Sequence, residues 1–152
     1  MLKEGQKAPD FTLNNQSGKA ISLSDFKDRK IVLYFYPKDN TPGCTKEACN
    51  LRDNNEILKE KGVVVLGVSI DNEASHQKFI GKYDLNFDLL ADTDKKVVNL
   101  YGVWGEKSMY GRKYMGTMRW TYLINEDGVI DKIYQKVSVS SHAEDIIKDW
   151  NL

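Results

Sequence analysis

Cysteine is scarce in this chain of 152 residues: Cys44 and Cys49 are the only two. A small secreted scaffold carries more cysteines at wider spacing, so a disulfide framework is excluded as the organising principle. Net charge is absent as well, because 22 basic residues meet 22 acidic ones. With no global field to recruit nucleic acid or an anionic membrane, neither is expected as a partner. Long apolar runs are missing: Ile31–Tyr36 and Val63–Leu66 fall far short of the ~20 residues a spanning helix needs. The opening Met1-Leu2-Lys3-Glu4-Gly5-Gln6 holds no apolar segment of signal-peptide length, which sets a cytoplasmic location as the expectation. Repeats, low-complexity tracts and linkers are lacking too, so residues 1–152 are read as a single domain. Its 41 % apolar and 29 % charged residues suit a soluble globular protein with a proper core.

What remains is an alternation of strand and helix patterns. Phe11–Leu13 and Ala20–Leu23 flank a polar stretch ending near Gly18, which predicts an N-terminal β-hairpin. Lys30–Tyr36 and Val63–Ser69 predict two buried strands, separated by a helical pattern from Thr41 to Lys59. Two more helices are expected over Glu73–Tyr83 and Asp94–Tyr101. Arg119–Ile124 and Val129–Tyr134 form strand-like runs joined by Asn125-Glu126-Asp127-Gly128, a strong hairpin signal. Ser141 then caps a closing helix whose Ala143, Ile146, Ile147 and Trp150 recur at helical spacing. Gly102–Gly116 carries no assignable pattern, and Glu106–Tyr114 reads as a solvated loop. The first strand–helix–strand unit demands a parallel pair, and the later hairpin an antiparallel one. The result is an α/β protein whose mixed central sheet is flanked by helices, in the order of the thioredoxin-like fold with an added N-terminal hairpin. Another small α/β sandwich is the alternative.

The stretch that carries chemistry runs from Pro37 to Cys49. Thr41 is a favoured N-cap residue, and Pro42 fits the first helical position. Cys44 then falls at the third, among unpaired backbone N–H groups at the positive end of the helix, which favours thiolate over thiol. A lone cysteine is ordinarily inert packing. Cys44 differs because it follows a proline–glycine helix start, whereas Cys49 between Ala48 and Leu51 has a core reading as well. Two thiols at this spacing, with only His76 and His142 elsewhere, do not form a zinc pattern. A C-x-x-C oxidoreductase is disfavoured by the C-x₄-C spacing. His76 and His142 read as surface residues near helix starts, without a role. Trp104 and Trp120 read as core aromatics.

Pro37…Thr41…Cys44 is a P-x-x-x-T-x-x-C signature, and Tyr36-Pro37-Lys38-Asp39-Asn40-Thr41-Pro42-Gly43-Cys44-Thr45 resembles the peroxiredoxin Q branch, also called bacterioferritin comigratory protein. Ala8–Phe11, Val68–Asp71, Tyr101–Gly105 and Gly116–Arg119 extend the similarity through most of the chain. The resemblance implies a thiol peroxidase acting on hydrogen peroxide and small alkyl hydroperoxides. It implies that Cys44 is the nucleophile and Cys49 the resolving partner in an internal disulfide. Thioredoxin or a glutaredoxin-type dithiol would be the reductant, no metal, haem or flavin would be needed, and the chain would be a monomer or, as the alternative, a dimer. Arg119, on the strand before the last hairpin, would supply a cation and Glu47 would orient it. Pro37 and Pro42 would shape and shield the pocket. The family's usual R-x-T-F-L-I-D reads here Arg119-Trp120-Thr121-Tyr122-Leu123-Ile124-Asn125.

Chemistry explains why such a cation is needed. Full ionisation of a free cysteine gains only about 30-fold, roughly 2 kcal/mol, over the few per cent already ionised at neutral pH. A peroxidase must therefore stabilise the leaving oxygen as it gathers charge. Thr41 Oγ and the N–H groups of Gly43 and Cys44 are the donors this loop offers. Cys49 adds a constraint, since five residues of α-helix span a rotation of about 140° and a Cα separation of roughly 8–9 Å. A disulfide tolerates at most about 7 Å. The first helical turns are therefore expected to unwind after oxidation, in competition with over-oxidation of Cys44. Two rivals share the fold: a holdase or redox-signalling adaptor using the same switch, and an interaction domain with structural cysteines.

Overall fold

The computed structural model describes residues 1–152. In chain order the elements are β1 (Thr12–Asn15), β2 (Ala20–Ser22), β3 (Lys30–Phe35), α1 (Pro42–Glu60), β4 (Val63–Ser69), α2 (Glu73–Tyr83) and β5 (Asp88–Ala91). There follow α3 (Lys96–Leu100), β6 (Trp104–Met109), β7 (Arg112–Thr117), β8 (Thr121–Ile124), β9 (Ile130–Tyr134) and α4 (His142–Asp149). Seven strands form one mixed sheet in the order β2-β1-β5-β4-β3-β8-β9. The central pairs β3–β4 and β4–β5 are parallel, whereas β3–β8, β8–β9 and β1–β5 are antiparallel. The fold is thioredoxin-like, and the N-terminal hairpin extends the sheet through β1.

Apolar β3 lies inside the sheet, between β4 and β8, and both of its faces are covered. Alternate side chains enter two separate cores. Ile31, Leu33 and Phe35 pack with Leu66, Val68, Tyr101 and Tyr122 on one face. Val32 and Tyr34 pack with Ala48, Leu51, Leu123 and Ile146 on the other, beneath α1 and α4. No helix is long and apolar enough to cross a membrane.

Three expectations need correction. β5 is absent from the sequence reading, because its four residues are too few for a periodic signal. The stretch read as a solvated loop is a separate two-stranded hairpin, β6–β7. Its tip, Tyr110-Gly111, has positive φ at both residues (51° and 78°), the twist a tight hairpin turn requires. Trp104 and Trp120 are half-buried at the margin of the core rather than enclosed in it.

Candidate active site

The loop after β3 delivers Cys44 to the first turn of α1. Thr41 occupies the N-cap position in extended conformation (φ −99°, ψ 157°), and Pro42 takes the first helical position. The Thr41 side chain does not cap; its Oγ1 donates to the Lys38 carbonyl at 2.8 Å. The hydroxyl hydrogen is thus committed to the loop, and Thr41 Oγ1 can face the site only as an acceptor. This corrects the expectation that it donates to a leaving oxygen. Thr45 N–H bonds to the Thr41 carbonyl at 2.8 Å, and the N–H groups of Gly43 and Cys44 ahead of it have no intrahelical acceptor.

Cys44 is buried, and Arg119 Nη2 donates to its sulfur at 3.3 Å. The other arm of the guanidinium, Nη1, donates to Glu47 Oε1 at 2.7 Å. Glu47 stands three residues after Cys44 on the same helix, so the two project to the same face. Gly43 makes room for this arrangement: a Cβ there would stand 3.1 Å from Arg119 Nη2. Arg119 itself lies just ahead of β8, not within it as the sequence suggested. The chain on either side is tied down, Met118 N–H to the Val103 carbonyl at 2.7 Å and Phe35 N–H to the Trp120 carbonyl at 2.9 Å. Burial pushes the Glu47 carboxyl up to about 7, and the Arg119 charge and hydrogen bond hold it from rising further. Burial works against the guanidinium's own charge, yet the charges of Glu47 and Cys44 outweigh it and hold Arg119 above its ordinary value.

Two histidines read as surface residues are buried. His142 Nε2 lies 2.8 Å from Thr121 Oγ1 and 4.0 Å from Glu47 Oε2. Burial and the nearby Arg119 charge bring its pKa down to about 4, so it adds no cation to the cluster near neutral pH. His76 Nδ1 meets Asp39 Oδ2 at 2.7 Å, and its Nε2 meets the Leu90 carbonyl at 3.0 Å. Asp39 also accepts from Tyr36 Oη at 2.5 Å and from Ser75 Oγ at 2.8 Å, and its N–H donates to Asp71 Oδ2 at 2.8 Å. The loop that carries Thr41 is thereby fastened to α2 and to the end of β4. A signal existed for His76, since His76, Phe79, Ile80 and Tyr83 fall at i, i+3, i+4 and i+7. From the β6–β7 hairpin, Lys107 Nζ donates to the Thr117 carbonyl at 2.9 Å, and burial together with Arg119 lowers its pKa.

Cys49 is half-buried and lies on α1 with Cys44, both as free thiols. Pro37 is half-buried where β3 has ended, and Pro42 is exposed. No grouping of three His, Cys, Asp or Glu side chains is placed to hold a metal ion.

Comparison with known proteins places the chain in a family. The AhpC/TSA family model matches residues 4–133. The putative peroxiredoxin bcp of Coxiella burnetii is 50 % identical over 146 residues, 96 % of this chain and 97 % of the relative. Peroxiredoxin Bcp of Escherichia coli K12 is 45 % identical over 149 residues, 98 % and 95 % of the two chains. A cysteine-to-serine mutant of Xylella fastidiosa PrxQ superposes with a TM-score of 0.94 at 31 % identity, over 99 % of this chain and 96 % of that one. Xanthomonas campestris bacterioferritin comigratory protein gives 0.87 at 32 % identity, over 93 % and 90 %. This chain belongs to the AhpC/TSA family, with the Bcp and Q-type peroxiredoxins as its relatives, and is a thiol peroxidase.

Proposed function

We propose that the chain reduces hydrogen peroxide and small organic hydroperoxides through Cys44, and that Cys49 resolves the product into an internal disulfide. The observation that carries this reading is the guanidinium of Arg119, with one arm on the Cys44 sulfur and the other on Glu47. The Cys44 thiolate attacks one peroxide oxygen; the S–O bond forms as the O–O bond breaks, and the departing oxygen leaves as alkoxide or hydroxide and takes up a proton. Arg119 and the free N–H groups of Gly43 and Cys44 stabilise the charge on that oxygen. Thr41 Oγ1 accepts from the peroxide O–H, Glu47 orients the guanidinium, and Pro37 and Pro42 shape the approach. The Xanthomonas relative is described as having alkyl peroxide reduction activity, which supports the wider substrate range.

Cys44 sulfenic acid then condenses with the Cys49 thiol, releasing water. Both residues are helical. Five helical residues hold their Cα atoms about 8–9 Å apart, too far for a disulfide, so the start of α1 unwinds during each cycle. Thioredoxin or a glutaredoxin-type dithiol reduces the disulfide by exchange and returns both thiols. The chain works as a cytoplasmic monomer of one domain, and the sulfur supplies the redox chemistry without metal, haem or flavin.

A coupled assay of NADPH, thioredoxin reductase, thioredoxin and peroxide tests the scheme. Wild type should turn over and Cys44→Ser should not. Cys49→Ser should consume about one peroxide per chain and gain one oxygen by intact mass, while oxidised wild type loses two hydrogens. Equal turnover by Cys44→Ser would defeat the assignment.

A further inference from the structure

Asn50, the residue after Cys49, is bonded outside its own helix. Its Oδ1 accepts from Ala143 N–H at 2.7 Å, and its Nδ2 donates to the Ser140 carbonyl at 3.1 Å and to Glu144 Oε1 at 2.7 Å. Ser141 holds the N-cap position of α4 but makes no side-chain cap bond. The carboxamide of Asn50 therefore does for α4 what a cap residue ordinarily does, across the α1–α4 interface. Asn54 adds to the same contact, donating to the Asn50 carbonyl at 2.9 Å and approaching Glu144 Oε1 at 3.5 Å.

We propose that Asn50 is a positioning residue for the resolving step: it pins the Cys49 turn of α1 to the start of α4, and closing the disulfide requires that pin to release. The inference rests on Cys49 being the resolving cysteine. When the chain through Cys49 leaves the helix, Asn50 becomes the first residue of a shortened α1. Asparagine is among the best N-cap residues, and its side-chain oxygen then faces the exposed N–H groups of Arg52 and Asp53. That is the oxygen now holding Ala143 N–H. Three contacts to α4 are exchanged for one cap, so the side chain favours the folded, unresolved state and slows closure.

Removing the pin should speed resolution. Asn50→Ala is expected to close the Cys44–Cys49 disulfide about fivefold faster, the shift that about one net hydrogen bond lost from the folded state produces. Asn50→Asp should also be faster than wild type, because aspartate keeps the acceptor for Ala143 N–H and caps the shortened helix well, but donates to neither the Ser140 carbonyl nor Glu144 and repels that carboxylate. The rate of the first peroxide reaction should be unchanged in both, since no bond of Asn50 reaches Cys44 or Arg119. Over-oxidation of Cys44 should require about fivefold more peroxide in Asn50→Ala, in line with faster resolution. Quenched-flow mass spectrometry reads closure in the variants, and hydrogen exchange reads the Ala143 amide of the wild type. That amide should be protected in the reduced protein and lose protection in the disulfide form. A disulfide that forms while Ala143 stays equally protected, or Asn50 variants that close within twofold of wild type or more slowly, would overturn the pin. Wild type that forms no disulfide between these cysteines would instead overturn the resolving role of Cys49.

Discussion

Replacing Arg119 by lysine keeps the charge and removes the fork. The guanidinium spans two acceptors, Cys44 Sγ at 3.3 Å and Glu47 Oε1 at 2.7 Å. An ammonium is a single point on a shorter reach. It will settle on the carboxylate, because Glu47 is fully buried and its other oxygen, Oε2, has no hydrogen-bond partner. The sulfur and the leaving oxygen then lose their cation. One preorganised donor aimed at developing charge is worth about 2.7–4 kcal/mol, so Arg119→Lys should slow the reaction with hydrogen peroxide by about 10²–10³. The assay is the second-order rate of the first turnover at pH 7, with circular dichroism confirming an intact fold. A folded Arg119→Lys within about threefold of wild type would refute the reasoning. Arg119→Met adds a stability readout. Both influences that hold the Glu47 pKa down come from Arg119, so without it the value rises beyond about 7. A carboxyl raised in the folded state supports stability below its unfolded pKa and loses that support as pH climbs through the folded value. Wild type stops losing stability from this group just above pH 7, whereas Arg119→Met continues. The gap between the two should therefore widen from pH 7 to 8, by on the order of 1 kcal/mol.

Gly43→Ala places a Cβ 3.1 Å from Arg119 Nη2. The first-turnover rate should fall about tenfold with little change in melting temperature, as for a misplaced catalytic group; an unaltered rate would show that the contact is dispensable. His76→Leu strips Asp39 of its buried partner and should cost about 3 kcal/mol in urea denaturation, a loss below 1 kcal/mol contradicting the network's role. His142 falls from 6.5 to about 4, so the unfolded chain binds more protons between those values and wild type gains stability as pH rises through them. Glu47, raised from 4.5 to about 7, acts in the opposite direction between 4.5 and 7. His142→Gln removes the gain, so its deficit in urea midpoint should grow from pH 4.5 to 6.5, and an equal deficit at both would refute the assignment.

The start of α1 was legible because its signals are local. Thr41, Pro42 and Gly43 set a helix start within one turn of Cys44, and apolar β3 and β4 declare themselves by composition. β5 and the β6–β7 hairpin were not legible, the first for brevity and the second because both its faces are polar or exposed. The histidines were misplaced because burial depends on what packs over a helix face. His142 is enclosed only where α4 lies against α1 and β8.

By itself the sequence determined where a nucleophilic sulfur sits on its helix and how far the second thiol stands from it, since both follow from backbone geometry within a few residues. Arg119 came from resemblance to a known family, not from any local pattern. Only the tertiary structure decided that its guanidinium reaches Cys44 from 75 residues away, that Asp39 is held by His76 across 37, and that Asn50 caps α4 across 93. Such meetings depend on strand order: β8 pairs with β3, carries Arg119 at its approach and brings it over the helix that β3 feeds. Local propensity carries no information about that pairing, because the burial that drives it is shared by the whole sheet.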